Sequence, residues 1–120
     1  MLLNSFFEIR QVEENGNMVR FTVSIYSGHE IFKGHFPQQP VVPGVFALQI
    51  IKECLEYAHK RKYRYYELMN CKFSNPIFPE QAGDILIECE CEIAGSFLLK
   101  ATVRSEDTVY ITLKTKLDEI

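Results

Sequence analysis

Val45-Phe46-Ala47-Leu48-Gln49-Ile50-Ile51-Lys52-Glu53-Cys54-Leu55-Glu56-Tyr57-Ala58-His59-Lys60 is the stretch that decides the fold. At a helical advance of about 100° per residue, Val45, Phe46, Ala47, Leu48, Ile50, Ile51, Cys54, Leu55 and Ala58 cover most of the circumference. Gln49, Lys52, Glu53, Glu56 and Lys60 leave only a narrow polar stripe. Pro43-Gly44 marks the start, because proline's φ is already near a helical value. A helix that is apolar around so much of its surface has to be wrapped by something else.

Only a sheet is available to wrap it. On the N-terminal side, an apolar segment from Leu2 to Ile9 leads to Asn15-Gly16, a hairpin signal, since both residues accept the positive φ angles of a type I′ turn. The return strand puts Val19, Phe21, Val23 and Ile25 on one face and Arg20, Thr22 and Ser24 on the other. From Tyr26 to Pro43 the chain is too crowded with glycine and proline for a regular helix or strand. On the C-terminal side, strands are expected at about residues 65–74, 84–93, 97–104 and 109–117. In the second of these, Ile85, Ile87, Cys89, Cys91 and Ile93 share one face, and Glu88, Glu90 and Glu92 share the other. The order of strand, strand, helix and four strands predicts an α+β layer arrangement: a long central helix wrapped by a curved antiparallel sheet of about five to six strands. That is the shape called a hot-dog fold.

At 120 residues, 47% of them apolar and 24% charged, residues 1–120 are expected to form one domain. Thirteen basic against sixteen acidic side chains give a formal charge of -3, which excludes a surface built to neutralise phosphates, so no nucleic acid is expected as a partner. No apolar run approaches the roughly 20 residues of a membrane span. Met1 to Glu8 lacks a basic n-region and reaches a carboxylate early, so a cytoplasmic location is expected. The cysteines Cys54, Cys71, Cys89 and Cys91 have no C-x-x-C spacing and read as core packing, with no metal expected.

The unusual segment is Phe32-Lys33-Gly34-His35-Phe36-Pro37-Gln38-Gln39-Pro40-Val41-Val42-Pro43-Gly44-Val45. Prolines three residues apart stiffen an extended path into the helix. The first helical amides have no intrahelical acceptor and carry the positive end of the dipole, so they suit an oxygen that gains negative charge. His35, on the same loop, has a side chain suited to proton transfer near neutrality. The plainer alternative is a structural crossover with a satisfied histidine.

At these residues the chain resembles the 3-hydroxyacyl-acyl-carrier-protein dehydratases, whose signature is H-F-P-x-x-P-x-x-P-G, four residues, then a carboxylate. His35, Phe36, Pro37, Pro40, Pro43 and Gly44 match every fixed position before the carboxylate. Asn70 to Pro79 and Gly83-Asp84 extend the likeness. The resemblance implies a hot-dog dimer, homomeric or heteromeric, with sites at the interface, where His35 takes a proton from the carbon beside a thioester carbonyl. It implies that Phe36, Pro43, Gly44 and Val45 bind the substrate, the Gly44 amide holding the carbonyl, and that the acyl chain arrives on the phosphopantetheine of an acyl-carrier protein. The product is a trans-2-enoyl thioester, and no metal or redox cofactor is required.

One position departs from the pattern. The family carboxylate is Gln49 here, which accepts or donates a hydrogen bond but cannot act as a carboxylic acid. The family usually carries glutamine one turn later, where this chain has Glu53. Glu53 either stands in for the missing acid or belongs to the ordinary polar stripe. The departure favours a specialised polyene or polyketide route, and it supports as alternatives a non-catalytic subunit that binds a carrier protein or completes a mixed dimer. A thioesterase ranks behind these, since such enzymes lack the proline-rich histidine segment. Lys60, Arg61 and Lys62 form the basic cluster expected to dock an acidic carrier protein. His29 is expected to be exposed and without a partner.

Overall fold

The computed structural model describes residues 1–34, 38–94 and 96–120; the expected base His35 and its neighbour Phe36 lie outside the described residues. Strands β1 (Phe7–Asn15) and β2 (Met18–Ile25) precede a short helix α1 (Ile31–Gly34) and the long helix α2 (Gly44–His59). Strand β3 (Tyr63–Phe73), a single turn α3 (Pro79–Ala82), and strands β4 (Ile85–Ala94), β5 (Ser96–Arg104) and β6 (Val109–Glu119) follow. The six strands form one sheet in the order β1-β2-β4-β5-β6-β3, with every neighbouring pair antiparallel.

The period-2 pattern sets the inner face. Phe21 and Val23 of β2, Ile85, Ile87 and Cys89 of β4, Leu99 of β5 and Leu113 of β6 are buried in one cluster with Ile50, Ile51, Cys54 and Leu55 of α2. Burying a side chain of this size is worth roughly 1.5–3 kcal/mol, so this shared cluster is the main force holding helix to sheet. Thr115 of β6 is fully buried as well, and its hydroxyl donates to the Glu67 carbonyl at 2.7 Å, satisfying a group that would otherwise be costly to bury. A second tie crosses from sheet to helix, where the Tyr65 hydroxyl donates to the Leu48 carbonyl at 2.5 Å. Burial pushes the thiols of Cys54, Cys71, Cys89 and Cys91 up, so all four are held protonated, as packing residues are.

The structure corrects several expectations. The first strand starts at Phe7, because Leu2 to Phe6 coil into a turn, closed by the Phe6 N–H on the Leu2 carbonyl at 2.7 Å with Asn4 at φ 68°. The hairpin uses Gly16-Asn17 as its two central residues, with Asn15 opposite Met18; Gly16 alone takes a positive φ, 62°, so the turn is not type I′. The loop expected to be irregular contains α1, which starts where the His29 ring Nδ1 accepts the Ile31 N–H at 3.1 Å, in the manner of an N-cap. His29 is therefore half-buried rather than exposed, and its ring meets Phe6 edge-on at 5.1 Å. In β6, where period 2 would put Val109 on the inner face with Ile111, Leu113 and Leu117 and Tyr110 on the other, an irregularity beside Arg104 turns Tyr110 inward and leaves Val109 exposed.

Strand β3 is the outer edge next to β6, and its opposite side has no strand against it among the described residues. Tyr66, Leu68, Met69 and Phe73 on it are exposed, as is Val45 at the start of α2.

Candidate active site

The start of α2 is built by its sequence. Val42 is fixed to the neighbouring loop by its N–H to the Ile77 carbonyl at 2.9 Å. Pro43 follows in an extended conformation (φ -60°, ψ 141°), and its carbonyl accepts the N–H groups of Phe46 and Ala47 at 3.0 and 3.1 Å. The Gly44 and Val45 amides find no acceptor among the described residues. Gly44 lines a cleft of about 260 Å³ whose other walls include Val42, Ala47, Phe73, Ile77 and Ile111. Unpaired amides at a helix N-terminus, bordering an apolar cleft, can hold an anionic oxygen with an acyl chain beside it. Gly44 lets the Phe73 ring approach closely, since a Cβ there would lie 3.2 Å from that ring and the ring would have to shift by a few tenths of an ångström. Phe73 is the wall residue that sequence reasoning left without a role; its contact with Gly44 spans too much chain to show in a local pattern.

Gln49 lies five residues further along, about 7.5 Å of helical rise. The structure brings it together with Glu53, the Gln49 side-chain amide donating to Glu53 Oε2 at 2.7 Å. Glu53 is 1% exposed, so it is no member of a solvated stripe. Its Oε1 accepts the Leu2 and Leu3 N–H groups at 2.9 and 2.8 Å, and Oε2 shares the Leu2 N–H at 2.9 Å. Burial pushes this carboxyl up, but the Leu2 amide, the Gln49 amide and the Leu3 amide together outweigh it and leave it below the usual carboxylate range. A carboxylate held ionised, with both oxygens occupied, has no proton to give. Glu53 is the anchor of the N-terminal turn. The turn in turn carries Phe6, which packs on Phe46 of α2 at 5.0 Å and on Phe32 of α1 at 5.5 Å between ring centres.

The basic cluster sits at the other end of α2. Lys60 caps the helix in a left-handed conformation, φ 56°, with its N–H on the Glu56 carbonyl. Arg61 pairs with Glu119 at 2.6 Å, and Arg64 with Asp118 at 3.5 Å, so part of the positive charge is neutralised locally. Lys60 and Lys62 are exposed and make no ion pair among the described residues. His59 is turned away from this group, its Nδ1 2.8 Å from the Tyr63 hydroxyl.

Residues 11–114 match a family model described as ApeI-like, ApeI dehydratase. A 3-hydroxyacyl-[acyl-carrier-protein] dehydratase FabZ of Fusobacterium nucleatum is 29% identical over 85 residues, 66% of this chain and 57% of that protein, so the match spans little more than half of that relative's length. The FabZ of Actinobacillus succinogenes is 24% identical over 103 residues, covering 78% of this chain and 69% of the relative. Among solved structures, the dehydratase heterocomplex ApeI:P from Xenorhabdus doucetiae superimposes with a TM-score of 0.77 at 21% identity, covering 91% of this chain and 95% of that one. The PaaI protein of E. coli does so at 0.63 and 13%, covering 95% and 79%. These likenesses show that the helix and six-stranded sheet are the hot-dog fold.

Proposed function

Since the chain belongs to the ApeI-like dehydratase family, we propose that it removes water from a 3-hydroxyacyl thioester carried by an acyl-carrier protein. The observation that carries this reading is the pair of unpaired amides at Gly44 and Val45, the first of them in the wall of an apolar cleft, directly after the histidine–proline segment. The thioester carbonyl oxygen takes hydrogen bonds from these amides. His35, assigned by the sequence match, takes the proton from C2; the electron pair left behind forms the C2–C3 double bond, and the C3–O bond breaks as the protonated His35 returns that proton to the departing hydroxyl, which leaves as water. Holding the carbonyl stabilises the enolate-like charge on its oxygen, a contribution of the kind worth about 10²–10³ in rate per donor. Gln49 accepts a hydrogen bond from the 3-hydroxyl and orients it. Phe36 and Pro43 complete the substrate's surroundings, and no metal or cofactor enters the reaction.

A second reading rests on Gln49: the chain is one half of a mixed dimer, whose partner supplies an acidic group. The open β3 edge with Tyr66, Leu68 and Phe73 exposed supplies the surface for a partner in either reading. Mass spectrometry of a 3-hydroxyacyl carrier-protein thioester incubated with the purified chain distinguishes them. Loss of water by the chain alone, abolished in His35→Ala, is the expected result. Absence of dehydration across several chain lengths would sink the self-sufficient enzyme and favour the mixed dimer.

A further inference from the structure

A carboxylate only accepts hydrogen bonds, whereas a primary amide has one end that donates and one that accepts. Glu53 Oε1 is committed to the N–H groups of Leu2 and Leu3, and Oε2 faces Gln49. Gln49 is therefore obliged to present its nitrogen to Glu53, whatever else is nearby. Its carbonyl oxygen is left pointing away, without a donor among the described residues. We propose that Glu53 is a positioning residue that fixes the polarity of Gln49, so that the site selects a hydrogen-bond donor at C3 of the bound acyl group, a hydroxyl in preference to a ketone. This rests on the dehydratase reading and goes beyond it, since it assigns the choice between the 3-hydroxyacyl group and its 3-oxo counterpart to a residue that never touches either. A ketone offers only lone pairs, and two carbonyl oxygens facing each other leave a polar group unpaired, which sites of this kind reject.

Exchange of the two side chains makes the idea testable. In Glu53→Gln, the Leu2 and Leu3 amides still need an acceptor, so the introduced amide keeps its oxygen toward them and turns its nitrogen to Gln49. Gln49 then flips and shows a donor to the substrate. In the double variant Gln49→Glu with Glu53→Gln, the side-chain nitrogen at position 53 donates to the carboxylate now at position 49, whose second oxygen again faces outward as an acceptor. The probes are 3-hydroxyacyl and 3-oxoacyl pantetheines of equal chain length with an amide in place of the thioester, their dissociation constants measured by calorimetry on the full chain.

The native chain should favour the hydroxy compound by at least about tenfold, the value of one well-made hydrogen bond plus the penalty of an unpaired one. Glu53→Gln should erase or invert that ratio, and the double exchange should restore it. A ratio unchanged in folded Glu53→Gln, or not restored by the double exchange, overturns the proposal. Should Glu53→Gln fail to fold, Gln49→Leu carries the test with the Glu53 anchor intact: the preference should vanish, and its survival would refute the assignment. Dehydration measured in parallel tells the two failures apart. A native chain that dehydrates the thioester but binds both probes equally defeats the polarity proposal alone; one that neither dehydrates the thioester nor discriminates between the probes defeats the self-sufficient dehydratase reading as well.

Discussion

One buried carboxylate joins three parts of the molecule. Glu53 is held by amides about fifty residues away, and because those bonds favour its ionised form, folding depends on its charge. The sign follows directly. The folded carboxyl titrates below its unfolded value of about 4.3, so its contribution is fully present above that pH and is lost as pH falls through the lower, folded value. Glu53→Gln has no proton to gain there. Its denaturation midpoint should be lower than that of the native chain at neutral pH, and should decline less steeply below about pH 4.3, as urea titrations at a series of pH values would reveal. Glu88, lowered chiefly by its bond to Arg104, adds the same slope to both proteins and cancels in the comparison. Identical acid profiles would mean that the anchor carries no net stability.

Elements were legible where period and local chemistry agreed. The wide apolar surface of α2 and the alternation of β2 and β4 are direct consequences of burial against one another, so spacing alone reveals them. Pro43-Gly44 marked the start of the helix for a local reason too, and with it the unpaired amides. Three features escaped because their determinants are remote or depend on a side chain acting as backbone. The Leu2–Phe6 turn exists because Glu53 draws in its amides; α1 starts on an imidazole ring; Phe73 meets Gly44 only after β3 has docked. Strand β3 also has a consequence for assembly. An edge strand with unpaired backbone groups and large apolar side chains is a template for another strand. Leu68, 51% exposed, lies within it, and Leu68→Lys should convert a dimer to a folded monomer in light scattering. If the native chain is already a monomer at micromolar concentration, the edge does not support self-association.

On the scale of the whole molecule, charge and chemistry are placed apart. The 16-residue α2 spans about 24 Å, with the open amides at one end and Lys60 and Lys62 at the other. A net charge of -3 makes this pair of lysines a local exception rather than part of a general positive surface. The neighbouring arginines are already matched by Glu119 and Asp118, so the lysines are the better targets for reversal. Replacing both by glutamate should slow turnover of substrate on an acidic carrier protein several-fold at low salt, with the gap closing as ionic strength rises, and should leave small pantetheine thioesters unaffected. Equal slowing of both substrates would place the lysines in the catalytic path or the fold, not in docking.

The order of strands in the sheet also dictates an order of events in time. Each of β1–β2, β4–β5 and β5–β6 is a hairpin between neighbours in the chain, whereas β3 is held in the sheet by β6, the last of the six to be made. During synthesis β3 leaves the ribosome with no neighbour to pair against, and it stays so until β6 emerges. Closing such distant pairings is slow, and exposed strands that wait are prone to associate wrongly. Strand β3 is thus the part of the nascent sheet that waits longest for a partner, and the arrival of β6 is what ends the wait.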